Sequence, residues 1–208
     1  MNGIIDSTVE KYFYRLLPKR DEVLAEIEQQ AERRNIPIVG PAVGRVLYQY
    51  AQLIGAQRIF EMGSAIGYST IWLARACPAA TVYYTDSDPK NAKEAQAYFE
   101  RAGVRDRIQV LTGNALDLLD QTEGEFDLIF NDVSKRDYPA VFHKAVPRLR
   151  RGGLFITDNV LWSGRVTQPN PDENTRGILE FNQLIYSSTE LFPALLPLRD
   201  GLAVCHKL

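Results

Sequence analysis

Ile59-Phe60-Glu61-Met62-Gly63-Ser64-Ala65-Ile66-Gly67-Tyr68-Ser69 is the stretch on which the fold turns. Its start reads as the end of a strand, Arg58–Met62, and its finish opens a helical stretch, Tyr68–Ala76. Glycines at a strand end allow the positive φ of a tight turn and let the backbone approach a ligand closely. The N–H groups that open the next helix favour an anionic ligand group there. The spacing is GxxxG, which departs from the GxGxxG of dinucleotide-binding turns. Glycines that serve only the turn would give the same pattern, so the reading depends on what surrounds it.

Outward from this turn the chain alternates. Thr81–Thr85, Ile108–Leu111, Phe126–Asn131 and Leu154–Thr157 are short runs rich in Val, Ile, Phe or Tyr, bounded by turn residues. Pro89–Ala102, Ala115–Leu119 and Tyr138–Leu149 lie between them and suit helices. Such alternation predicts an α/β fold with a mostly parallel sheet covered on both faces. After a helix over Thr175–Ser187, the runs Glu190–Leu198 and Leu202–His206 flank Asp200-Gly201, a turn pair that predicts an antiparallel hairpin. A parallel sheet closed by such a hairpin favours a Rossmann-like methyltransferase over a dinucleotide dehydrogenase. Upstream, Ser7 to Arg34 reads as two helices broken at Pro18, with Val23, Leu24 and Ile27 on the apolar side of the second. Residues 36–41 read as extended or turning, because each proline biases its predecessor away from helix. Val43–Ile54 resumes a helix that Gly55 ends.

The 208 residues suit one domain, residues 1–208, with residues 1–55 as an N-terminal helical segment. A net charge of −2 provides no global attraction to nucleic acid, although it leaves local basic patches possible. Cys77 and Cys205 are far apart and form no CxxC, which argues against a disulfide framework or a zinc site. No apolar run approaches the roughly 18 residues of a membrane span. Met1–Glu10 lacks the basic and apolar regions of an export signal. The expectation is a cytoplasmic protein with no membrane partner.

Three groups of residues carry chemistry. Asp86 ends its strand about 20 residues past the glycine turn, where an acid can accept hydrogen bonds from ribose hydroxyls; a solvated turn carboxylate is the plainer reading. Asp88, before Pro89, suits a helix cap. Asp132 follows one apolar run and Asp158-Asn159 ends the next, so neighbouring parallel strands would bring their oxygens to one edge. Two carboxylates and an amide are hard donors that suit Mg²⁺ or a similar divalent cation. Lys135 lies three residues beyond Asp132. Singly, these residues fit turn caps and a surface charge; together they describe a reaction centre.

Glu61-x-Gly63-x-x-x-Gly67-Tyr68-Ser69, Asp132-x-x-Lys135-x-x-Tyr138 and Thr157-Asp158-Asn159-Val160-Leu161-Trp162-x-Gly164-x-Val166 resemble the metal-dependent class I O-methyltransferases, which include the catechol and caffeoyl-CoA enzymes and small bacterial members. Leu196-Pro197-Leu198-x-Asp200-Gly201-Leu202-Ala203 extends the resemblance to the C-terminus. It implies a seven-stranded sheet and S-adenosylmethionine (SAM) as co-substrate. It places Val39, Glu61, Gly63 and Ser69 at the methionine end, Asp86 at the ribose, and Gly113, Asn114 and Ala115 beside the adenine. It makes Asp132, Asp158 and Asn159 the metal ligands, gives Asp132 a further contact with the cofactor, and makes Lys135 and Asp132 the catalytic pair. Ser134 stands where the plant pattern has a second acid, Asn131 is polar where an apolar residue is expected, and Glu173 and Glu180 are neighbours of the acceptor region.

The acceptor expected first is a small catechol- or hydroxycinnamoyl-like hydroxyl compound. A tRNA 5-hydroxyuridine is the alternative, with Arg33-Arg34, Lys135-Arg136, Arg148, Arg150-Arg151 and Arg165 available to phosphates. A non-catalytic SAM-binding protein is the third reading, which the intact Asp132, Lys135, Asp158 and Asn159 oppose. Tyr12-Phe13-Tyr14 and the N-terminal helices suggest a homodimer.

Overall fold

The computed structural model describes residues 4–208; Met1–Gly3, the start of the segment expected to carry no export signal, lie outside it. Two N-terminal helices, α1 (Ser7–Leu16) and α2 (Glu22–Arg34), are each opened by an aspartate whose carboxylate accepts from backbone N–H groups, Asp6 and Asp21. The break between them falls at Pro18 as the sequence predicts. The next helix, α3 (Gly40–Leu53), begins three residues earlier than the apolar periodicity suggests. Pro41 occupies its first turn, where a missing N–H costs nothing and the fixed φ is already helical.

From Arg58 the chain lays down β1 (Arg58–Met62), α4 (Tyr68–Ala76), β2 (Thr81–Asp86), α5 (Pro89–Arg101), β3 (Ile108–Thr112) and α6 (Ala115–Gln121). There follow β4 (Phe126–Asn131), α7 (Tyr138–Ala145), β5 (Leu149–Thr157), α8 (Glu173–Ser187), β6 (Leu191–Leu196) and β7 (Leu202–Lys207). The seven strands form one sheet in the order β3-β2-β1-β4-β5-β7-β6. Pairs through β5 are parallel, and β7 runs antiparallel to both β5 and β6. Helix α7 is shorter and β5 longer than the sequence suggests, because Pro147 closes the helix and Leu149 already pairs with Phe126.

Alternation along the strands builds two apolar layers. Ile59, Leu128, Phe130, Ile156 and Val204 pack with Leu47 of α3, Ile71 of α4 and Phe99 of α5. Phe60, Ile129, Phe155 and Cys205 face the other way, onto Leu119 of α6, Val141 of α7 and Phe181 of α8. Helices thus cover both faces, and the ligand edge is left at the strand C-termini. Strand order reverses at β1, which pairs with both β2 and β4, so the crevice opens between β1 and β4. Among the described residues, no helix is long and apolar enough to cross a membrane.

Candidate active site

A cavity of about 690 Å³ occupies this crevice. Gly63, Ala65 and Asp86 line one side; Asp132, Lys135, Asp158 and Asn159 line the other. Ile36, Pro37 and Ile38 wall it from the N-terminal segment, and Trp162, Arg199 and Asp200 close the remaining side.

On the β1–β2 side the turn is tightly built. Gly63 has φ +83°, and a Cβ placed on it would lie 2.7 Å from the backbone oxygen of Asp132, so only glycine fits between the two strand ends. The Asp86 carboxylate accepts from the backbone N–H of Ala65 at 3.0 Å, from that of Asp88 at 2.8 Å, and from the Asn91 amide at 3.1 Å. Asp88 caps α5 as the sequence suggests. Glu61 is buried, with one carboxylate oxygen receiving the Thr70 hydroxyl and the other without a partner. Burial pushes its carboxyl above the usual range, against the Ser69, Thr70 and Ser64 hydroxyls.

On the β4–β5 side the balance differs. Asp132 meets Lys135, whose Nζ donates to Oδ1 at 2.7 Å and to the Val133 carbonyl at 3.3 Å. Asp158 is buried, and neither of its carboxylate oxygens has a hydrogen-bond partner among the described residues. Burial, reinforced by the charge of Asp132, pushes the Asp158 carboxyl up to about 7. Asp132 is also raised, by burial first, with Lys135 opposing. The Tyr138 hydroxyl donates to the Asp158 backbone oxygen at 2.9 Å and holds that strand end from below. Asn159 adopts φ +60° and its amide faces Asp200 at 3.5 Å.

Asp132, Lys135, Asp158 and Asn159 therefore come together as the strand pattern predicts, with Gly63 and Asp86 across the cavity. Glu61, Ser69 and Val39 lie buried behind the cavity wall, and Gly113, Asn114 and Ala115 lie outside the lining. Asn114 caps α6, its side chain accepting from Leu116 and Asp117. Of the residues near the acceptor region, Asn174 rather than Glu173 or Glu180 reaches the cavity. Asp200, which the motif pattern names only as part of a turn, also contributes, and so does Arg199, which the pattern leaves unspecified. Asp200 receives the Ser163 N–H and hydroxyl, and Arg199 stands at the unspecified position just before Asp200-Gly201. A basic side chain beside a turn aspartate, just ahead of the last strand, is the signal the sequence offers for it.

Buried oxygens of Asp158 without donors are what a cation ligand leaves when considered alone, and the donor set beside it is oxygen-only. The residues fit a divalent ion, with Asn159 needed to complete them. Among the described residues, no group of three or more His, Cys, Asp or Glu side chains could hold a metal ion unaided.

Comparison with known proteins agrees with this geometry. Residues 18–208 match the family model described as O-methyltransferase. A catechol O-methyltransferase of Niastella koreensis is 35% identical, with 98% of each chain covered. An O-methyltransferase from Bacillus cereus in complex with S-adenosylhomocysteine (SAH) superposes with a TM-score of 0.87 at 34% identity, covering 97% of each chain. One from Streptomyces achromogenes, involved in tomaymycin synthesis and bound to SAM, gives 0.87 at 30% identity over 96% of each. With its seven-stranded sheet, its glycine turn facing Asp86 and its acids at the ends of β4 and β5, this chain belongs to the O-methyltransferase family and is a SAM-dependent O-methyltransferase.

Proposed function

We propose that the enzyme methylates one hydroxyl of a small dihydroxy aromatic compound and requires a divalent cation held by Asp132, Asp158 and Asn159. The observation that carries this reading is the bare, buried carboxylate of Asp158 beside Asp132 and Lys135. An isolated buried carboxylate is costly and becomes favourable when a cation shares its site. A divalent cation there supplies charge stabilisation for a hydroxyl as it ionises, and Mg²⁺ suits oxygen donors of this kind.

The chain's own residues do the rest. Lys135 is assigned the role of general base for the hydroxyl proton. The oxygen then forms its bond to the methyl carbon as the carbon–sulfur bond breaks, and the electron pair returns to sulfur, leaving SAH. Gly63, Glu61, Ser69 and Val39 hold the methionine end of SAM, Asp86 takes the ribose, and Gly113, Asn114 and Ala115 border the adenine. Ile36, Pro37, Ile38 and Trp162 supply apolar walls for an aromatic ring. Holding both reactants in line accounts for much of the remaining acceleration.

Internal pairing of Arg34, Arg148 and Arg150 favours a small acceptor over tRNA. Arg148 donates to the carbonyls of Leu119, Thr122 and Gly124; Arg150 pairs with Asp127; Arg34 pairs with Glu94 at 2.6 Å. These guanidinium groups serve the fold. A panel of catechols, hydroxycinnamates and bulk tRNA, run with labelled SAM with and without Mg²⁺, tests the reading. The expected result is Mg²⁺-dependent methylation of a dihydroxy aromatic; methylation of tRNA alone, or turnover indifferent to chelation, overturns it. We also read the exposed Val9, Tyr12 and Leu16 of α1, a helix with no buried residue, as a surface for a second copy of the chain. Light scattering that returns a monomer mass overturns that reading.

A further inference from the structure

Arg199 occupies the connection between β6 and β7 with φ +52°, a left-handed conformation that costs a non-glycine residue on the order of 1 kcal/mol and that concentrates at functional positions. The residue is tied down on two sides. Its backbone oxygen accepts from the Ile4 N–H at 3.4 Å, and its Nη1 donates to the Ile38 carbonyl at 3.0 Å. The guanidinium thereby stands in the cavity wall with its side chain 22% exposed.

Apart from Asp158, the other charged groups of the cavity are matched. Lys135 serves Asp132, backbone N–H groups and Asn91 serve Asp86, and Ser163 serves Asp200. Arg199 has no hydrogen-bonded carboxylate among the described residues. Its nearest acid atom is Asp158 Oδ2 at 3.7 Å, beyond hydrogen-bond range. A guanidinium carries five N–H donors, and among the described residues the Ile38 carbonyl is the one acceptor it meets. A cation seated at Asp158 would also take up the charge that now faces Arg199, leaving the guanidinium to an anion from elsewhere.

We propose that Arg199 is a specificity residue that receives a carboxylate carried by the acceptor, so that the preferred substrates are dihydroxy aromatics with an acidic side chain. The proposal rests on the small-acceptor reading above. The planar fork of a guanidinium matches a carboxylate through two parallel hydrogen bonds. Ile36, Pro37 and Trp162 line the same cavity and can flank the ring that links the carboxylate to the reacting hydroxyls.

The test compares 3,4-dihydroxybenzoate and 3,4-dihydroxycinnamate with their methyl esters, which keep the shape and lose the charge. Turnover with SAM and Mg²⁺ is followed together with calorimetric binding to the SAH-loaded protein. The wild-type enzyme is expected to favour at least one acid over its ester in both measurements. In Arg199→Met the acid-to-ester ratio of kcat/KM, and of affinity, falls roughly ten- to a hundredfold; Arg199→Lys, which keeps the charge, retains part of it. A wild-type enzyme that methylates acid and ester equally overturns the inference while leaving the small-acceptor reading intact, and this arm needs no variant to fold. If neither acid nor ester binds or reacts, both fall together. A loss of SAH affinity in Arg199→Met with an unchanged acid-to-ester ratio overturns it too, since the guanidinium would then serve the methionine carboxylate.

Discussion

The two sides of the cavity are built on opposite principles. On the β1–β2 side, Asp86 already accepts three hydrogen bonds from its own chain and the glycine turn is fixed by backbone contact. On the β4–β5 side, Asp158 is bare, and just below it the Asn131 amide and Thr157 hydroxyl, register partners on neighbouring strands, also carry buried atoms without partners. A neutral, hydrogen-bonded ligand can be met by a surface completed in advance. Under the proposed function, a site for developing charge would be completed by the cation it binds. Glu61 is the exception on the first side, with one buried carboxylate oxygen left without a partner among the described residues.

The contrast breaks most visibly in turnover. Asp158→Ala or Lys135→Met is expected to lower kcat by about 10²–10⁴ while leaving SAH affinity, measured by calorimetry, close to wild type; a parallel loss of SAH binding would mean the two sides are not separable. Asp86→Ala should do the converse. Losing the charged acceptor of ribose hydroxyls weakens SAH binding roughly ten- to a hundredfold, with the Mg²⁺ concentration needed for half-maximal rate unchanged.

A smaller effect is expected where the sides touch. Gly63→Ala introduces a Cβ against the Asp132 carbonyl at a positive φ, so it should destabilise the protein by about 1–2 kcal/mol and impair both SAH binding and turnover. Differential scanning calorimetry and the same binding assay check it; an effect on one function alone would show that the backbones yield independently. The smallest effect is a dependence on pH. Asp158 holds its proton more tightly folded, at about 7, than at its ordinary value of 3.8. The folded metal-free protein therefore binds more protons between these values, and its stability falls as pH rises from about 4 through 7. Asp158→Asn should flatten that slope by a few degrees in Tm, and Mg²⁺ should raise Tm more at pH 8 than at pH 5. Equal slopes in the two proteins would remove Asp158 as the cause.

Much of this contrast was legible in the sequence, because strands announce their ends. Asp86, Asp132 and Asp158 each stand at the end or just past it, and the parallel direction of the strands brings those ends to one edge. What escaped is what depends on distance in space. Arg199 reaches Ile38 across 161 positions, and no local pattern encodes that encounter. Helix α3 begins early because Pro41 stabilises a first turn that its neighbours disguise as loop. The Asn114 side chain, assigned by resemblance to the adenine border, proves also to cap α6; a capping residue and a ligand-bordering residue look alike in one dimension.

Gly177 carries a last consequence. It lies on the buried side of α8, and a Cβ there would drive into the Lys135 carbonyl and meet the Arg136 Cα at 2.8 Å. Main chain rests on main chain, with a glycine hydrogen as the only spacer. In the language of machining, the turn that holds Lys135 is seated on a datum surface, and no rotamer is available to take up slack. Loops around the cavity can be lengthened or recut for a different acceptor, but the lysine's position is toleranced from the helix behind it. An effort to retarget this enzyme should recut the walls and leave that seat alone.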